Sequence, residues 1–262
     1  MNLDPKTIAG LAEHLENAEL HARDVTKITD EHPGMDWDDA YAIQDAIRRR
    51  KEARGQKTAG LKCGLTSFAK MKQMGVETPV FGFVSDYMAR PDGGEIKLSE
   101  LIHPKVEAEI CVVTKVPLKG PGCHIGNVMA AVELVLPAVE VIDSRYRDFK
   151  FDLKSVVADN TSSSRFVIGG RARNLDELDL RTLGVVLEIN GEIRTMAAGA
   201  AVLGHPLAAV AMLANHLGAR GQEIPAGTFV MTGGVTEAVA VKAGDSVLVR
   251  YQELGSVSMR FV

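Results

Sequence analysis

Lys105-Val106-Glu107-Ala108-Glu109-Ile110-Cys111-Val112-Val113 and, further along, Ala138-Val139-Glu140-Val141-Ile142-Asp143 are the two stretches from which this chain is read. Both are short, rich in β-branched residues and bounded by turn or helix signals, which predicts two strands. Side chains alternate faces along a strand, so Glu107 and Glu109 point the same way, roughly 7 Å apart. Glu140 is a single carboxylate in an apolar run, and a carboxylate among valines is costly to bury unless something pairs with it. Three carboxylates brought together repel one another unless a cation sits between them. An all-oxygen set suits a hard ion, Mg²⁺ or Mn²⁺ with Ca²⁺ as a further option, and does not suit zinc. Against this stands a plainer reading: Glu107 and Glu109 line the wet face of a half-exposed strand, as alternating glutamates commonly do. Glu140 lacks even that explanation.

Around these strands the composition is that of a globular protein, 46% apolar and 24% charged, and 262 residues hold one large domain or a core with an appendage. Thirty basic against thirty-four acidic residues leave a net charge of −4. The one basic block is Arg48-Arg49-Arg50-Lys51, so nucleic acid is not an expected partner. No uninterrupted apolar run is long enough to span a bilayer, and Met1-Asn2-Leu3-Asp4-Pro5-Lys6 has no signal-peptide pattern, so no membrane association is expected. Cys63, Cys111 and Cys123 form no C-x-x-C pair and read as reduced thiols of a cytoplasmic protein.

The first 57 residues are expected to be helical. Asp4-Pro5 starts one helix with Ile8, Leu11, Leu15 and Ala18 inward, and Asp36 starts a second whose basic end and Gly55 suit its C-terminus. From residue 58 to 262 short strands and glycine turns dominate. Thr58–Leu65 is a strand with one lysine, Lys62, in apolar company. Ile125–Leu134 is predicted helical, with Pro137 introducing the Glu140 strand. Val157–Arg165 is read as a polar, hydroxyl-rich loop. Asn190-Gly191 marks a type I′ hairpin, and Leu207–Leu217 a helix. The expected architecture is α+β, a helical N-terminal part on a β-rich core.

Other residues can carry chemistry. Lys62 is a surface lysine, a general acid or a cation facing an anionic substrate. The loop ending in Arg165 offers a bidentate fork for a carboxylate or is an ordinary turn. Leu203-Gly204-His205-Pro206 caps the next helix. At Thr232-Gly233-Gly234, backbone N–H groups can approach an anion, without the lysine and helix of a phosphate loop.

Taken together, the Glu-Ala-Glu strand with its distant Glu140, Leu61-Lys62-Cys63-Gly64-Leu65-Thr66, Val157-Ala158-Asp159-Asn160 and Leu203-Gly204-His205-Pro206-Leu207 resemble one family. It is the hydratase/decarboxylase family of meta-cleavage pathways for aromatic compounds, in the fumarylacetoacetate-hydrolase-like superfamily. The resemblance runs from the N-terminal helices to Gly255-Ser256-Val257. Gly75-Val76-Glu77-Thr78-Pro79 and Val141-Ile142-Asp143-Ser144-Arg145-Tyr146 incline it to the decarboxylase branch. The resemblance implies that Glu107, Glu109 and Glu140 hold Mg²⁺ or Mn²⁺. Lys62 would donate a hydrogen bond or proton to the developing enolate. Arg165, or Arg145, would orient the departing carboxylate of a small dicarboxylate, and Ser162 or Ser163 would help seat it.

Val80 stands where the family's hydratases carry an aspartate, a base for handling water; a valine keeps the pocket dry, which favours loss of CO₂. The expected reaction is metal-dependent decarboxylation of 2-oxohex-3-enedioate, by a homo-oligomer able to associate with the sister hydratase. The competing expectations are the hydratase reaction and a non-catalytic partner subunit.

Overall fold

The computed structural model describes the backbone of residues 1–262 and every side chain except those of Lys70, Gln73 and Met74. Along the chain, α1 (Pro5–Leu20) and α2 (Trp37–Ala53) precede β1 (Thr58–Gly64), α3 (Phe68–Met74), β2 (Val80–Ser85), β3 (Ala89–Arg90), β4 (Gly94–Ile96) and β5 (Lys105–Thr114). Then come α4 (Ile125–Ala131), β6 (Val132–Ile142), α5 (Leu153–Ala158), β7 (Ser163–Ile168), β8 (Arg173–Asn174), β9 (Gly184–Ile189) and β10 (Glu192–Ala198). The chain closes with α6 (Pro206–Gly218), β11 (Phe229–Gly234), β12 (Val239–Ala240), β13 (Ser246–Tyr251) and β14 (Gly255–Phe261).

The larger sheet runs β2-β1-β11-β5-β6-β7-β3, with β12 on β5 and β8 on β6; the smaller runs β10-β9-β13-β14-β4. The main core lies between them, filled by Val106, Ala108, Val139 and Val141 from one and Leu187, Val249, Val257 and Phe261 from the other, with α6 alongside. The expected α+β architecture is the one observed. The N-terminal helices pack on the β-rich part through Ile8, Leu15, Ile43 and Ile47 against Val80, Phe83, Tyr146 and Val157. Gln44 ties them down, its amide donating to the Phe81 and Val157 carbonyls at 2.9 Å each.

Local signals behave as their chemistry requires. Asp4 accepts from the Lys6 and Thr7 N–H groups, Asp36 and Asp39 form a capping box, and His205 Nδ1 accepts from the Leu207 N–H at the start of α6. Asn190 and Gly191 both have positive φ (56° and 81°), as a type I′ turn demands. Gly199–Gly218 has the length and apolarity of a membrane span, with mean hydropathy 1.4. Within it α6 begins only at Pro206 and buries Leu207, Val210 and Leu213 in the core.

Two expectations fail. The helix over Ile125–Leu134 ends at Ala131, and β6 already begins at Val132, so Pro137 sits inside the strand rather than introducing it. Proline is tolerated there because β7 pairs with β6 only from Ala138, and β8 only at Leu134 and Val135. The Pro137 carbonyl faces that interruption, accepting from the Gly169 N–H at 3.4 Å, so no ladder bond is lost at its nitrogen. The second failure is the polar loop 157–165. It divides into the end of α5, a left-handed turn at Asn160, Thr161 and Ser162 (φ 48°, 52° and 59°), and β7 from Ser163. Pairing with β6 and β3 overrides the turn preference of the serine run.

Candidate metal centre and substrate cleft

The β5–β6 register sets Glu107 opposite Glu140 and Glu109 opposite Ala138, so all three carboxylates project from one face. β11 joins that face by setting Met231 opposite Cys111, and β1 by setting Lys62 opposite Met231. The four functional side chains therefore come from three strands whose order brings one face together. Beside them on the same face lies a small apolar cluster of Val84, Met88, Cys111, Ala138, Phe166 and Met231.

One oxygen from each of Glu107, Glu109 and Glu140 lies within 4.8 Å of the others. Glu109 is buried and Glu107 half-buried, which rejects the plainer reading of that pair as a wet strand face, and Glu140 is buried as well. Glu109 Oε2 accepts from the Gly233 N–H at 2.8 Å, so the anion approached by the Thr232-Gly233-Gly234 backbone is the protein's own carboxylate. Gly233 is obligatory: its φ is +100°, and a Cβ there would lie 2.1 Å from Thr66 Oγ1. Burial pushes the Glu109 carboxyl well above its ordinary range; Glu140 and Glu107 push the same way, while Lys62 and the Gly233 N–H oppose them. Glu109 Oε1 and Glu140 Oε2 are buried without a hydrogen-bond partner among the described residues. Three convergent carboxylates, two with unsatisfied buried oxygens, fit a hard divalent cation.

Lys62 is 2% exposed, not the surface lysine that is the default for its type. Its Nζ donates to Glu140 Oε1 at 2.5 Å and to the Thr161 carbonyl at 3.1 Å. An ammonium has three N–H donors, so one is left for the cleft. That carbonyl is presented by the left-handed turn, which is clamped from both sides. Asn160 exchanges two side-chain hydrogen bonds with the Phe83 backbone, at 3.0 and 2.9 Å. Buried Arg145 holds the Asp159 carboxylate and carbonyl. Gly82 makes the close approach possible, since a Cβ there would meet Thr161 Oγ1 at 2.7 Å.

The cleft over the carboxylates has a volume of about 360 Å³, and its walls include Leu65, Val80, Ile142, Phe149, Phe151 and Val156. Val80 and Ser162 line it, and Ser162 Oγ is buried with no hydrogen-bond partner among the described residues. The other expected substrate contacts are not brought there. Ser163 Oγ faces Met88 Sδ at 3.8 Å, and its carbonyl accepts from Arg145 Nη1 at 2.9 Å. Arg145 is spent on Asp159 and on the Asp143 and Ser163 carbonyls. Arg165 follows Ser164 and precedes Phe166, the register partner of Glu140. Alternation therefore turns Arg165 away from the carboxylate face. It bonds Glu100 at 3.3 Å and the Ser164 carbonyl at 3.0 Å. The assignment of Arg145, Arg165 and Ser163 to substrate is thereby corrected. Sequence reasoning also missed Lys105, Thr161 and Phe149, all of which line the cleft. Lys105 was within reach, because it precedes Glu107 by two residues and shares its face; nothing in the sequence marked Phe149.

Three convergent carboxylates, Glu107 half-buried and Glu109 and Glu140 buried, with a buried lysine beside them and a cleft lined by Lys62 and Glu107, define a site for a divalent cation. The sequence profile of the fumarylacetoacetate (FAA) hydrolase C-terminal family matches residues 66–262, and the chain belongs to that family. It is 66% identical to a 4-oxalocrotonate decarboxylase of Pseudomonas putida over 99% of this chain and 98% of that one. It is 38% identical to a 2-keto-4-pentenoate hydratase of Burkholderia vietnamiensis over 98% of each. The structure of the 4-oxalocrotonate decarboxylase of Pseudomonas putida G7, complexed with magnesium and adipate, superimposes with a TM-score of 0.98 at 64% identity, covering 100% of this chain and 99% of that one.

Proposed function

We propose that this protein is a divalent-metal-dependent carbon–carbon lyase that decarboxylates 2-oxohex-3-enedioate (4-oxalocrotonate) to 2-hydroxypenta-2,4-dienoate and CO₂. The observation that carries the reading is the convergence of Glu107, Glu109 and Glu140, the last two buried, with Lys62 bonded to Glu140 and, like Glu107, lining a largely apolar cleft. The 66% identity to a decarboxylase and the 38% identity to a hydratase favour the same choice.

The substrate is a vinylogous β-keto acid. As the C5–C6 bond breaks, its electron pair moves through the conjugated chain to the 2-oxo oxygen, and C6 leaves as CO₂. A Mg²⁺ or Mn²⁺ ion held by the three glutamates would supply Lewis acidity where that charge develops. Lys62 directs its remaining N–H into the cleft, where it stabilises the enolate oxygen by hydrogen bonding and can deliver the proton that completes the enol. Val80, Ile142 and Phe151 keep water from the departing carboxylate; desolvation favours its conversion to neutral CO₂. Ser162 Oγ, buried and unsatisfied among the described residues, is available to the substrate's C1 end.

The reading includes a role in meta-cleavage breakdown of aromatic compounds, a homo-oligomeric state, association with the sister hydratase and a cytoplasmic location. Three buried free thiols support a reducing compartment. The decisive experiment follows CO₂ release from 2-oxohex-3-enedioate with and without Mg²⁺, and offers 2-hydroxypenta-2,4-dienoate separately. Metal-dependent CO₂ release without hydration is expected. Hydration without CO₂ release would make the protein a hydratase, and silence on both from a folded, metal-bound protein would make it a partner subunit. Val80→Asp should slow CO₂ release by placing a solvated carboxylate in the cleft wall.

A further inference from the structure

With Arg165 turned away and Arg145 committed to Asp159, a second substrate carboxylate needs another cation. Among the described residues, the cations lining the cleft are Lys62 and Lys105, and Lys62 is committed to Glu140 and Thr161. We infer that Lys105, seated on Phe149, is the subsite for the distal carboxylate of the substrate and selects dicarboxylates over monocarboxylates. This inference rests on the decarboxylase reading for the identity of the substrate.

Three observations carry it. Lys105 and Glu107 occupy alternate positions on β5, so they leave the same face about 7 Å apart. The terminal carboxylates of an extended six-carbon diacid are separated by a distance of that order. A ligand with one end at the glutamate triad therefore brings its other end to Lys105. Next, Lys105 Nζ stands 4.0 Å from the centre of the Phe149 ring. A ring occupies one side of an ammonium and leaves its other donors free for a carboxylate.

Finally, that ring is placed at a conformational cost. Asp148 and Phe149 both adopt left-handed backbone angles, with φ of 57° and 58°, a conformation unfavourable for an aromatic residue. Such strain persists where surrounding contacts impose it, and it recurs at ligand sites. Here Phe149 packs on His103 at 5.1 Å and Phe151 at 5.8 Å between ring centres. Opposite Lys105 in the register is Ile142, which also lines the cleft, so the pair with a bound carboxylate forms against apolar walls where charge-assisted bonds are strong.

The test is binding, not turnover. With Mn²⁺ loaded, the affinities of adipate and pentanoate are measured by calorimetry for wild type, Lys105→Met, Lys105→Gln and Lys105→Arg. Both neutral variants should weaken adipate by about 10- to 100-fold and leave pentanoate within about 3-fold, the scale of one charge-assisted bond. Lys105→Arg should retain adipate to within about 10-fold. Melting temperature and Mn²⁺ affinity establish that each variant is folded with an intact metal end. Equal weakening of both acids, or no weakening of adipate, overturns the inference. Absence of CO₂ release from wild type would overturn the decarboxylase reading and leave this binding comparison intact.

Discussion

Lys62 Nζ stands 2.5 Å from Glu140 Oε1, although β1 and β6 are separated in the sheet by β11 and β5. Three strand spacings amount to roughly 14 Å across a flat sheet, so the contact exists only because the sheet coils and its concave face draws the side chains together. Lys62→Met should reduce kcat by about 10²- to 10⁴-fold, the range for a lost acid–base group. Mn²⁺ affinity should stay equal or become tighter, because a positive charge beside the carboxylates is removed. Titration calorimetry and turnover on one preparation separate the two effects. Full activity, or weakened Mn²⁺ binding, would remove Lys62 from the role assigned to it.

Glu109 is the most confined of the three carboxylates: fully buried, repelled by Glu140 and Glu107, and held by the Gly233 N–H. Metal at about 100 times its Kd should stabilise wild type by about 2.7 kcal/mol. Glu109→Gln should abolish that rise in Tm. Without metal the variant should melt no lower than wild type, since an amide of the same shape carries no charge to bury. Differential scanning calorimetry with EDTA or Mg²⁺ reads both; a variant still stabilised by metal would contradict the ligand assignment.

The Arg145–Asp159 pair is buried on both sides and anchors the turn that presents Thr161 to Lys62. Arg145→Met leaves an unpaired buried carboxylate and should cost about 3–5 kcal/mol by urea unfolding. The double variant Arg145→Met/Asp159→Leu should recover part of that stability but not the activity, because the turn loses its clamp. A double variant with full kcat would show that the clamp does not position Lys62.

His216 lies between the Tyr41 and Phe81 rings, 4.4 and 4.8 Å away, and burial with Arg220 nearby lowers its pKa to about 4. Between pH 6.5 and 4 the unfolded chain takes up a proton that the folded site excludes. This residue's contribution to stability is therefore lost as pH falls through that window and is constant above it. His216→Phe should show a smaller drop in urea midpoint between pH 7.5 and pH 5 than wild type. An identical drop in the two proteins would refute the assignment.

Much of the site was legible before any coordinates. Period-two alternation placed Glu107 and Glu109 on one face, and Glu140 stood out because its strand is otherwise apolar. The caps of α1, α2 and α6 and the Asn190-Gly191 turn obeyed local rules, since each depends on a few neighbouring backbone groups. Serine-rich Ser162–Ser164 misled because a strand's pairing partners are remote in sequence. Arg165 misled for the same reason: the face it takes follows from its register with Val141.

The sequence by itself determined the carboxylate pattern, the two N-terminal helices and the family, because periodicity, capping chemistry and motif spacing are local properties. Tertiary structure alone decided that Glu140 faces Glu107, that Lys62 reaches across two intervening strands, and that Lys105 rather than Arg165 shares the cleft. Those relations depend on strand register and sheet curvature, which are set by packing among residues distant along the chain.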